Sequence, residues 1–372
     1  MLLIVVAVFL FAHHFSINVR SSVSHILKKA SVVESVAPAK PVHIKTPEPV
    51  KAIYMTSWVA GTSKWRAGLI DFIKTSELNS IVVDVKDYSG RVSFDTGDEL
   101  VKGVGSEELR VPDMKEFIKT LHNGGIYAIA RITVFQDPFF AKRNLDMAVQ
   151  RKNGLLWKDG KGLSYLDPAA EKYWDYIVRI ARAAEQIGFD ELNFDYIRFP
   201  SDGDMKDIKF PISGIQGLTH KETILNNFFA YLDKELEGSG VPISADVFGM
   251  VATNKDDLNI GQVLEGLAPY FDFIAPMVYP SHYPPTFQGF KNPAAHPYEI
   301  IKFSMDRAVE RLKAATTTPF KLRPWLQDFN LGAIYDAEKI RLEKKAVYDA
   351  GLTSWMSWDA ANKYTRSAYD PE

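Results

Sequence analysis

Residues Glu191–Pro200 read ELNFDYIRFP. The stretch is short, apolar and aromatic-rich, the character of a strand. Side chains two apart in a strand share a face. Leu192, Phe194 and Tyr196 are therefore expected on one side, and Asn193, Asp195 and Ile197 on the other. Arg198 follows, and Pro200 closes the strand. An Asp near the C-terminal end of a buried strand is costly unless it is paired or used. Asp195 is the first candidate for a chemical role, and Asn193 and Arg198 are neighbours able either to satisfy it or to assist it.

Working outward, the chain from Lys51 alternates short apolar runs with amphipathic stretches, which argues for an α/β fold with a parallel sheet. The expected strands are Ala52–Trp58, Ser80–Lys86, Tyr127–Val134, Glu191–Ile197, Ile243–Phe248, Phe271–Val278, Leu322–Gln327 and Ser354–Trp358. Helices fit between them at Leu69–Ser76, Asp113–Asn123, Pro168–Ile187, Lys221–Glu237, Ile260–Leu267, Tyr298–Ala314 and Ala337–Asp349. The third is the clearest. Trp174, Ile177, Ala181, Ala184 and Ile187 form one apolar stripe, Asp167–Pro168 suits an N-cap and first turn, and Gly188 suits a stop. Strands and helices in this order predict a single (β/α)8 TIM barrel over residues 51–372. A doubly wound sheet would often carry a Gly-rich nucleotide loop after its first strand, and WVAGT at Trp58–Thr62 is not one. Long insertions at Gly90–Arg110, Gln136–Leu166, Ser201–His220 and Pro280–Pro297 follow strands, where a barrel of this kind builds its active-site face.

The N-terminal 50 residues differ from the rest. Leu2–Ala12 is an unbroken apolar run, too short to span a bilayer alone but suited to a signal peptide core. With Phe15, Ile17 and Val19 added, it suits a signal anchor. Residues 1–20 are therefore expected to direct export, leaving the protein extracellular or membrane-anchored and facing outward. Residues 21–50, rich in Pro, Ser and Lys, are expected to form a linker.

Composition excludes several classes. The 372 residues hold no cysteine, so disulfides, thiolate metal sites and a cysteine nucleophile are absent. The formal net charge is -2, with no polybasic footprint for nucleic acid. There is no H-E-x-x-H pattern, no G-x-S-x-G elbow and no G-x-x-x-x-G-K-[ST] loop. No cofactor is expected.

Polar residues recur at the expected strand ends. Asp84, Lys86 and Asp87 end the second, Arg131 lies on the third and Asp246 on the fifth. Tyr279 ends the sixth, Trp325, Gln327 and Asp328 the seventh, and Trp358 and Asp359 the eighth. Asp195 and Asp246, on adjacent strands, fit the two carboxyls that glycosidic cleavage normally needs, one to protonate the departing oxygen and one to attack carbon or activate water. Asp84, Lys86, Arg131, Asn193, Arg198, Gln327 and Asp359 are candidates to grip hydroxyls, and Tyr279, Trp325 and Trp358 to stack on sugar rings. His282 is a loop candidate for substrate contact. Asp84, Lys86 and Asp87 also read as a structural charge cluster. An all-oxygen metal site from Asp84, Asp195 and Asp246 is a further reading, as is a barrel that binds polysaccharide without cleaving it.

FDELNFDYIRFPSDG at Phe189–Gly203, SADVFGM at Ser244–Met250 and IAPMVYPSHY at Ile274–Tyr283 resemble a bacterial family of glycoside hydrolase-like proteins catalogued as domain of unknown function 4015. KAIYMTSWVAG at Lys51–Gly61 and VVDVKDYSG at Val82–Gly90 are similar to it as well. The resemblance implies a TIM barrel related to sugar-cleaving enzymes and functional positions at Asp195 and Asp246, without assigning their roles. The expected activity is hydrolysis of a poly- or oligosaccharide. The alternatives are binding without cleavage and metal-assisted hydrolysis or deacetylation.

Overall fold

The computed structural model describes residues 41–214 and 221–371. Eight parallel strands close into a barrel. They are β1 Lys51–Met55, β2 Ser80–Lys86, β3 Tyr127–Thr133, β4 Glu191–Asp195, β5 Ile243–Phe248, β6 Phe273–Met277, β7 Trp325–Gln327 and β8 Trp355–Trp358. The principal helices are α1 Ser63–Lys74, α2 Met114–Asn123, α3 Glu171–Gln186, α4 Lys221–Leu236, α5 Leu264–Leu267, α6 Pro297–Ala314 and α7 Ala337–Asp349. The leader lies outside the described residues, as does the linker up to Lys40. Among the described residues, no helix is long and apolar enough to cross a membrane.

Period-two alternation divides the core into two layers. Ala128, Ala130 and Ile132 of β3 pack outward with Leu192 and Phe194 of β4 against the helices. Tyr127, Ile129, Ala52, Tyr54, Val82, Ala275, Trp325 and Met356 fill the interior. At the N-terminal end of the strands, Arg323 Nη1 donates to Glu191 Oε2 at 2.7 Å, and the Tyr127 hydroxyl donates to the same oxygen at 3.0 Å. Residues 41–50, expected as linker, pack against this end. The Ile44 N–H donates to Asp190 Oδ1 at 2.8 Å, and Thr46 Oγ1 lies 3.0 Å from the Tyr127 hydroxyl.

Three local expectations need correction. The first strand ends at Met55, not Trp58, because Thr56 caps a single helical turn, Ser57–Ala60. Helix α3 starts at Glu171, not Pro168. The Asp167 carboxylate, expected as its cap, instead accepts N–H bonds from Ile212 and Ser213, each at 2.9 Å. The fourth strand stops at Asp195 because Tyr196 takes a φ of +53°. That left-handed residue reverses the alternation. Ile197 joins Leu192 and Phe194 in the outer layer, and Tyr196 lines the pocket together with Asp195.

Candidate active site

The strand ladders bring charged residues together near the C-terminal end of the barrel. Asp84 pairs with Arg131 across β2 and β3, and Arg131 with Asn193 across β3 and β4. The three carboxylates of Asp84, Asp195 and Asp246 converge on the Arg131 guanidinium. Its Nη1 donates to Asp84 Oδ1 at 2.6 Å, its Nη2 donates to Asp195 Oδ2, and its Nε lies 3.6 Å from Asp246 Oδ2. Each carboxylate has further support. The Tyr54 hydroxyl donates to Asp84 Oδ2, and the Tyr196 N–H donates to Asp195 Oδ1 at 2.5 Å. Asp246 Oδ1 accepts from Trp325 Nε1 at 2.7 Å and from Asn193 Nδ2 at 3.0 Å.

Burial separates the properties of these acids. It pushes the Asp246 carboxyl up to about 8. The adjacent Asp195 adds to the rise, and Arg131, Trp325 and Asn193 only partly oppose it. Burial likewise pushes Asp84 up to about 6, against Arg131 and Tyr54. For Arg131, burial works against the charge, but Asp195 and Asp84 outweigh it and hold the guanidinium well above its ordinary range. Because a guanidinium stands at the convergence point, an all-oxygen metal site there would have to displace it. Among the described residues, no group of three or more His, Asp or Glu is spaced to hold a metal ion.

A cavity of about 390 Å³ opens over this cluster. Of the expected residues, Asp195, Asp246, Arg131, Arg198, Tyr279, His282, Trp325 and Trp358 line it. The Trp358 ring stacks on Tyr54 with centroids 3.8 Å apart and meets Trp325 edge-on at 5.5 Å. These contacts fix the orientation of the two indoles. Burial first, and then Lys161, push the His282 imidazole below its ordinary value.

The remaining expected residues lie elsewhere. Asp84 and Asn193 sit behind the lining, holding Arg131 and Asp246. Lys86 does not face the cavity. The β2–β3 ladder shifts register between Asp84 and Lys86 and re-aims Lys86 into the helix layer. There its ammonium lies 2.9 Å from Asp137 and donates to Thr133 O at 2.7 Å, contacts of the framework and not of the cavity. Gln327 also serves the framework, accepting from Ser281 Oγ at 2.8 Å and donating to Phe329 O at 2.9 Å. Asp359 shapes a turn by accepting from the Ala361 and Lys363 N–H groups at 2.8 and 3.0 Å. Three contributors were not anticipated. Tyr196 was assigned to the wrong face, Tyr54 is an aromatic inside a strand, and Lys161 lies in a long insertion without a periodic pattern.

Comparison with known proteins agrees with this architecture. The structure resembles the glycoside hydrolase domain of PgaB (BpsB) from Bordetella bronchiseptica, with a TM-score of 0.62 at 14% identity, covering 87% of this chain and 99% of that one. It resembles alpha-L-fucosidase isoenzyme 2 from Paenibacillus thiaminolyticus, with a TM-score of 0.59 at 11% identity over 86% of this chain and 48% of that one. The alpha-galactosidase TtGalA from Thermus thermophilus gives 0.52 at 12% identity, over 87% and 60% respectively. At these identities the likeness concerns the fold. No curated protein sequence matches the chain. Residues 52–364 match the model of domain of unknown function 4015, described as a putative glycosyl hydrolase domain, and the chain belongs to that family of glycosidase-like (β/α)8 barrel enzymes.

Proposed function

We propose that the pocket cleaves a glycosidic bond in a poly- or oligosaccharide, with Asp246 as general acid and Asp195 as nucleophile or base. The observation that carries this reading is the pairing of two carboxyls with different environments in one cavity. Asp246 keeps its proton up to about 8, so it can protonate a departing oxygen at neutral pH. Asp195, on the adjacent strand, accepts bonds from Arg131 and the Tyr196 N–H, the arrangement of a carboxylate ready to attack carbon or activate water. Trp358, partly exposed in the cavity wall, offers a ring face to a sugar, while the fully buried Trp325 orients Asp246. The same reading includes export through the apolar segment Leu2–Ala12, with the catalytic face meeting extracellular glycans.

Leaving-group dependence tests the roles. Asp195→Asn is expected to lower cleavage by about a thousandfold or more on any substrate. Asp246→Asn is expected to be as damaging on a natural glycan but much milder on an aryl glycoside whose leaving group needs no proton. Full activity of Asp195→Asn on a confirmed substrate would sink the assignment. Sugar binding without bond cleavage over long incubation would favour a binding barrel.

A further inference from the structure

The pocket carries two cations that the proposed chemistry does not use. Lys161 and Arg198 line the same cavity as Asp195 and Asp246. Arg131 is committed to carboxylates, whereas Lys161 and Arg198 have no ion-pair partner among the described residues. Arg198 uses Nη1 on Phe199 O at 3.0 Å and Ser201 Oγ at 3.1 Å, and its guanidinium carbon lies 5.3 Å from the centre of the Tyr196 ring. Among the described residues, none of the other titratable groups lining the cavity forms an ion pair with either cation. Burial pushes the Asp246 carboxyl up to about 8, burial and Lys161 push the His282 imidazole below its ordinary value, and Asp195 is held by Arg131.

The loops that carry the two cations are tied to each other. Lys161 sits on the loop after β3, and Arg198 begins the loop after β4. Gln150–Arg151 and Ile208–Lys209 pair as antiparallel strands joining these loops. Arg151 Nε donates to Asp207 Oδ2 at 2.6 Å, and Trp157 Nε1 donates to Asp204 O at 3.0 Å. Asp159 is the nearest acid on the Lys161 turn. Its Oδ1 is taken by the N–H groups of Lys161 and Leu163 at 2.9 and 2.8 Å, which sets the turn that presents the lysine. Asp202, exposed on the partner loop, is the other carboxylate in this neighbourhood. Cations carried on tied loops recognise an anion at lower ordering cost than cations on two independent loops would.

We propose that the pocket selects an acidic glycosyl residue, with Lys161 and Arg198 holding its anionic group. A carboxylate on the sugar ring and a sulfate ester share the required chemistry. This inference rests on the glycosidase reading for its substrate class, but it is read by binding and not by turnover.

The test is calorimetric titration of the full-length protein with uronate-containing oligosaccharides, sulfated oligosaccharides, and the neutral alcohols obtained by reducing the uronate carboxyls. Binding of a charged probe is expected to be at least about tenfold tighter than that of its neutral counterpart, and to weaken with added salt. Lys161→Gln and Arg198→Gln are each expected to lose most of that preference. Lys161→Arg and Arg198→Lys are expected to retain it, which separates charge from folding. Preference for the uronates identifies a carboxylate ligand, and preference for the sulfated probes identifies a sulfate ester. Equal binding of charged and neutral forms, or failure to bind any acidic probe more tightly than a neutral one, overturns the proposal. Reducing-end release is followed in parallel. Charge-selective binding without release would count against the glycosidase reading alone, whereas cleavage of neutral glycans without charge preference would count against this inference alone.

Discussion

Asp246 couples catalysis and stability through one proton. The proposed acid works only while protonated, so activity is expected to fall as pH rises through about 8. Stability follows the same group. Burial raises its folded value above its unfolded one, so the native state keeps a proton that the unfolded chain releases from about pH 4 upward. The stabilising contribution is complete below that point and is lost as pH rises through about 8. Asp246→Asn copies the neutral acid and can still accept from Trp325 and Asn193. Its Tm is expected to match wild type near pH 4 and to exceed it by several degrees near pH 9, while natural-glycan cleavage is lost. A wild-type Tm advantage at pH 9 would contradict the buried-acid account. Arg131 is the complementary case. Removing its charge in Arg131→Met leaves Asp84 and Asp195 buried without their cation, and the expected loss is about 3–5 kcal/mol by urea denaturation. A loss below about 1 kcal/mol would show that the three carboxylates simply take up protons or water in its place.

At the level of elements, the pocket depends on how two loops are locked together. Gly203 has a φ of +94°, and a Cβ there would fall 2.9 Å from Asp159 Cα and 3.0 Å from Trp157. Gly203→Ala is therefore expected to cost about 1–3 kcal/mol and to separate the loops that carry Lys161 and Arg198. Its signature would be a raised KM with a smaller change in kcat, because Asp195 and Asp246 stand on strands that the substitution does not touch. An unchanged KM would show that the loops do not shape the substrate site. The same loops explain where the sequence was readable. All eight strands were legible because burial on both faces imposes continuous apolar runs with polar breaks at their ends. Asp195, Asp246 and Arg131 were legible because charge inside such a run is rare. Lys86 and Tyr196 were misplaced for a single reason. A one-residue irregularity sends every later side chain to the opposite face, and neither a ladder shift nor a left-handed φ at tyrosine has a sequence signature. Lys161 was missed because long-loop positions are set by tertiary hydrogen bonds, not by periodicity.

Across the whole molecule, the barrel separates function at one end from stability at the other. The C-terminal end holds a left-handed Tyr196, an acid that burial pushes up to about 8, and two cations with no ion-pair partner among the described residues. The N-terminal end is closed by the Arg323–Glu191 pair, by Tyr127 and by residues 41–50 laid across it. That segment is part of the folded barrel. Ile44 packs against the inner cluster, its N–H donates to the buried Asp190 carboxylate, and Pro49 O accepts from Asn79 Nδ2 at 2.8 Å. A protein beginning at Lys51 would uncover Tyr127 and leave one oxygen of Asp190 without its backbone donor, and such losses cost about 1–3 kcal/mol for each unsatisfied buried group. A protein beginning at Pro41 retains every one of these contacts. The shorter form is expected to unfold several degrees below the longer one, with unchanged specific activity at temperatures where both are folded. Equal melting temperatures would mean that the segment merely rests on the barrel. A selective loss of activity at equal stability would mean that the two ends of the barrel are coupled.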